Sequence, residues 1–81
     1  MSYHKRKIKK GTYGEFSKIE EEFDEVLESR EQGNRIMEIV ELSDLYGAVE
    51  EYVHNHFNIS MEDLKKMSDA TKRAFKSGGR K

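Results

Sequence analysis

At 81 residues, the chain has room for one domain with a modest core. Its 35% hydrophobic and 38% charged residues make a lean composition, which points to extra support from a subunit interface or a bound ion. The net charge of −1 gives no bulk preference for an acidic or basic partner. The absence of cysteine excludes disulfides and thiolate metal sites, and the apolar runs are too short to cross a bilayer.

Residues 1–13, "MSYHKRKIKKGTY", carry a concentrated positive charge with no sustained period and read as a basic, flexible arm. No signal-peptide core follows it, so the expectation is a soluble, cytoplasmic protein without a membrane partner. A helical domain is expected over residues 14–77. Its first helix starts between Thr12 and Ser17 and ends near Gln32, with Phe16, Ile19, Phe23, Val26 and Arg30 along one narrow stripe. Ser17 and Glu20 offer a capping box, and Glu20, Glu21 and Glu22 suit the positive end of the helix dipole. Gly33 is placed to close the helix in a left-handed conformation.

The second helix is expected from the cap Asn34 to Phe57. Its apolar positions cover more than one face, which suits packing against several neighbours, some from another subunit. Gly47 suits close approach of another helix or, second, room for a ligand, and Met37, Met61 and Met67 read as core fillers. His54 and His56, two apart, fall on different faces and make a poor zinc pair; His4 lies in the arm. The third helix starts at Ser60, which forms a capping box with Asp63, and Ile59 and Leu64 can close a hydrophobic staple. Leu64, Met67, Thr71, Ala74 and Phe75 form its inward stripe, and residues 78–81 read as a frayed tail. The fold class is therefore all-α: an antiparallel helix hairpin plus a third helix, completed as a helical bundle by oligomerisation to a homodimer or homotetramer.

Charge is unevenly distributed. Residues 15–51 hold thirteen of the sixteen acids, whereas residues 65–81 hold seven Lys/Arg against one acid. An acidic centre suits cations and basic flanks suit phosphates. Glu41 and Asp44 stand among Val40, Leu42 and Leu45 with no basic residue three or four positions away. They lie roughly 60° apart on the helix and point the same way. Glu22 and Glu25 repeat this spacing on the first helix. Lys18 can reach Glu22, whereas Glu21 and Glu25 read as lacking a basic partner. Glu25 and Glu41 each lie about eight residues from the turn, so the two pairs fall at matching heights. Four carboxylates facing one gap suit a hard divalent cation, Mg²⁺ or Mn²⁺.

"EEFDE" at 21–25 followed by "ELSD" at 41–44 resembles the EExxE…ExxD signature of the MazG-like all-α nucleoside triphosphate pyrophosphohydrolases, and the likeness extends over residues 14–57. It implies that Glu22, Glu25, Glu41 and Asp44 ligate Mg²⁺, with Glu21 a further ligand or the base that orients water, so that Glu21 and Glu22 are the catalytic pair. It also implies cleavage of a nucleoside triphosphate to a monophosphate and pyrophosphate. Lys72, Arg73 and Lys76 could supply fixed positive charge for the distal phosphates, and Tyr46 could stack on the base. No Walker-type glycine loop is present. The alternative is a non-catalytic module that binds a nucleotide or a partner protein. Nucleic-acid binding through the basic ends ranks last, because the central acids interrupt a continuous basic groove. So compact a domain would suit a small genome such as a phage's, acting in the host cytoplasm.

Overall fold

The computed structural model describes residues 7–78. Residues 1–6, with His4 and the start of the basic arm, and residues 79–81 of the tail lie outside the described residues. The described chain is all-helical: α1 (Phe16–Glu31), α2 (Arg35–Phe57) and α3 (Met61–Ser77), with no strand among the described residues. No helix is long and apolar enough to cross a membrane.

The start of α1 differs from the expected one. Glu15 occupies the N-cap position in extended backbone, and its side chain makes no capping bond. A preceding turn, in which the Glu15 N–H donates to the Thr12 carbonyl at 2.9 Å, fixes the chain direction before Ser17 is reached. Ser17 therefore lies inside the helix, and its hydroxyl accepts from the Thr12 N–H at 3.0 Å. Glu20, Glu21 and Glu22 consequently fall beyond the first turn, which contains no acid.

The α1–α2 turn is local chemistry. The Gly33 N–H donates to Arg30 and the Asn34 N–H to Ser29, the paired bonds of a Schellman ending. Gly33 has φ +72°, a conformation that a Cβ disfavours. The Asn34 side chain then accepts from the Met37 N–H at 3.1 Å and starts α2. At α3, Ser60 and Asp63 form the reciprocal capping box. α2 ends at Asn58, which adopts the left-handed region at φ 55°.

The three-residue turn folds α2 back along α1. Phe16 meets the Tyr52 ring edge-on at 5.6 Å, and the Asn55 amide donates to the Gly14 carbonyl at 3.4 Å. Nearer the turn, Glu22 meets Asp44 and Glu25 meets Glu41. These pairings run in opposite directions along the chain, so the hairpin is antiparallel.

The interior is unusual in composition. Ala48 and Val53 are its buried apolar residues, alongside Glu21, Glu22, Glu28, Ser29 and Glu41. The buried face of α1 thus runs through its acids, while Phe16 and Phe23 of the expected apolar stripe are more than half exposed. Ile36, Ile39, Val40, Leu42, Tyr46 and Phe57 of α2 are exposed as well, since one neighbouring helix covers only one face. α3 buries no residue, and α1 and α2 are the helices that pack extensively on each other. The expected inward stripe of α3 is therefore not enclosed: Met67 and Phe75 are exposed, and Met67 is no core filler. Among the described residues nothing lies within 4 Å of a Cβ built at Gly47, so close approach of another described helix does not explain that glycine.

Replacing Asn34 by Ala should lower stability by about 1 kcal/mol, the usual worth of a side-chain cap. Urea unfolding of the two proteins checks this.

Candidate metal centre

The carboxylates of the hairpin interior sit at helical spacing. Positions 21, 22 and 25 share the face of α1 turned to α2, and 41 and 44 share the opposing face of α2. Glu21, Glu22 and Glu41 are 3%, 5% and 5% exposed, so they have lost nearly all their water, whereas Asp44 sits exposed at the rim. Two groups result. One oxygen each from Glu21, Glu22 and Glu25 lie within 4.8 Å of one another, as do one each from Glu22, Glu41 and Asp44. Glu22 belongs to both.

Like charges this close must be offset by protons or cations. Lys18 supplies one offset, with Nζ 2.9 Å from Glu22 Oε2 and 3.1 Å from Glu21 Oε1. Glu21 thus has a basic partner three residues away, contrary to the expectation from sequence; a long lysine stem bridges adjacent positions on the next turn. The Gly11 N–H also donates to Glu21 Oε1 at 2.8 Å, and Lys10 lies 3.8 Å from Oε2. Gly11 permits this close approach, because a Cβ there would run into the Ser17 carbonyl. Burial pushes the Glu21 carboxyl upward, but the Gly11 N–H and Lys18 outweigh it and hold it below the usual range. Glu25 behaves oppositely: burial, then the charges of Glu22 and Glu41, push it up to about 7. Burial and Asp44 likewise raise Glu41, against the opposing hydrogen bond with Glu25.

Among the described residues, one buried side-chain atom is left over: Glu22 Oε1 has no hydrogen-bond partner there, although its residue is almost fully enclosed. An orphaned carboxylate oxygen amid other carboxylates matches the donor set of a hard cation, which takes oxygen ligands and tolerates several anionic ones. The residues present therefore fit a divalent ion at either group: Glu22, Glu41 and Asp44 could each offer an oxygen, as could Glu21, Glu22 and Glu25, and no single group unites the four residues expected from sequence.

The remaining candidates lie elsewhere. Lys72, Arg73 and Lys76 are exposed on α3, which does not pack extensively on the hairpin, and Lys72 lies 3.9 Å from Asp69. Tyr46 lines a cleft of about 630 Å³ with Met61, Leu64 and Lys65, apart from the acid cluster. His56 lies 3.3 Å from Glu15 and stacks beside Tyr52. A second cleft, of about 400 Å³, abuts the acids and is lined by Tyr13, Lys18, Glu22, Ser43, Asp44 and Gly47. Tyr13 lacked any helical signal that could have placed it at this cleft, as Gly11 lacked one for its bond to Glu21. Lys18 was visible, since it precedes Glu21 and Glu22 by three and four residues.

A carboxyl raised in the folded state stabilises below its unfolded value and loses that contribution as pH rises through the folded one. The ion-free protein should therefore lose on the order of 1–2 kcal/mol between about pH 4.5 and pH 7 through Glu25, allowing for solvent screening. Glu25→Gln should flatten that slope in thermal melts across the same window. A steeper slope in the variant would contradict the assignment.

No protein-family model, curated protein or solved structure matches this chain.

Proposed function

We propose that this chain is a Mg²⁺-dependent nucleotide pyrophosphohydrolase, with Mn²⁺ able to substitute, which cleaves a nucleoside triphosphate to a monophosphate and pyrophosphate. The observation that carries the reading is the enclosed Glu22, shared by two carboxylate groups and left with an orphaned oxygen. The resemblance of "EEFDE" and "ELSD" to the MazG-like signature adds the reaction class.

Glu22, Glu25, Glu41 and Asp44 would hold the cation, whose chemistry there would be to make a water at the site more acidic and to offset charge on the phosphates. Glu21 has the Gly11 N–H and Lys10 beside it to keep it ionised, so it can accept a hydrogen bond from water and orient it toward the α-phosphorus. The cleft containing Tyr13, Ser43 and Gly47 offers space for substrate beside the acids. Lys72, Arg73 and Lys76 do not line that cleft, and a second copy bringing α3 alongside would let them reach phosphates.

The uncovered apolar faces of α2 and α3 favour assembly, as a homodimer or homotetramer. They equally support a non-catalytic reading in which the chain is a nucleotide-binding or protein-docking module.

A panel of ordinary and modified nucleoside triphosphates with Mg²⁺ should release pyrophosphate, and Glu41→Gln or Asp44→Asn should lower the rate by about a hundredfold or more. Nucleotide binding by calorimetry without product would favour the non-catalytic module instead. Sedimentation should show an oligomer that Ile39→Asp weakens toward monomer; a wild-type monomer at every concentration would rule out the assembly.

A further inference from the structure

Lys18 occupies the position where charge balance and substrate access meet. Among the described residues it is the one cation within ion-pair distance of Glu22. Glu21 keeps two other partners, the Gly11 N–H and Lys10. Withdrawing Lys18 therefore leaves Glu21 still held, whereas Glu22, with Oε1 already orphaned, loses the partner of Oε2 as well. An ammonium 2.9 Å from a carboxylate oxygen competes directly with a divalent ion for that oxygen. The lysine stem is long and flexible, about a quarter of the side chain is exposed, and it lines the cleft that also holds Tyr13, Ser43 and Asp44.

On the divalent-cation reading above, we infer that Lys18 is a displaceable counter-cation. It neutralises Glu21 and Glu22 in the ion-free protein, and turns into the adjoining cleft to take a polyphosphate oxygen once the ion is bound. The same side chain thus keeps the acidic hairpin folded without metal and binds the anionic ligand with it. Its flexibility and its place between cluster and cleft make both positions reachable.

The test is calorimetric titration of Mn²⁺ alone into wild type, Lys18→Met, Lys18→Gln and Lys18→Arg at pH 8, with helix content checked by circular dichroism. The neutral variants should bind Mn²⁺ roughly five- to tenfold more tightly and melt at a lower temperature when ion-free, as expected for removal of a partly exposed ion pair. Lys18→Arg, which keeps the charge, should stay near wild type. With Mn²⁺ saturating, inorganic triphosphate should bind wild type and lose about tenfold in affinity in the neutral variants. Equal or weaker Mn²⁺ binding by the neutral variants, or undiminished triphosphate binding, overturns the inference. Absence of Mn²⁺ binding to wild type and variants alike overturns the divalent-cation reading itself, and this inference with it.

Discussion

Mutual repulsion among carboxylates inside a two-helix hairpin is the constraint on which everything else depends. Glu21, Glu22 and Glu41 are withdrawn from water, and Glu25 stands between them. Their charges raise the free energy of the closed hairpin unless something of opposite charge enters or protons are taken up. Lys18 and the Gly11 N–H compensate the end of the cluster near the start of α1, and at the end near Glu41 burial and the charges of Glu22 and Glu41 push the Glu25 carboxyl up to about 7, which favours proton uptake there. The compensation stops short of Glu22 Oε1.

A hairpin that spends its interior on acids has little left for a hydrophobic core. Ala48 and Val53 are too small to hold two helices of this length by themselves; Leu27, Leu45 and Val49 are only half-buried, and many of the other large apolar side chains face outward. The segment before α1 adds polar ties: Thr12 to Ser17, Gly11 to Glu21 and Gly14 to Asn55. These cannot cover Ile36, Ile39 and Val40. The proposed assembly answers that deficit, and it would also give the sparsely packed α3 a surface to pack on.

Local signals were readable from the sequence where the chemistry itself is local. Asn34, Gly33 and Ser60 mark their helix boundaries because each bonds within a few residues of itself. The facing of Glu22 and Glu25 toward Glu41 and Asp44 could be counted from the turn, since rise per residue is nearly constant. What failed was non-local. Ser17 lost its capping role to the turn at Thr12 to Glu15. The stripe of Phe16 and Phe23 promised burial that a single hairpin cannot provide. Tyr13 reaches the cleft by chain reversal, which no periodicity records.

Diffraction from crystals grown with Mn²⁺, collected at a wavelength where manganese scatters anomalously, probes the carboxylate gap most directly. An anomalous peak bounded by Glu22, Glu41 and Asp44 is the predicted result. A fully closed hairpin with the acids in place, manganese in the buffer and no peak between the helices would contradict it.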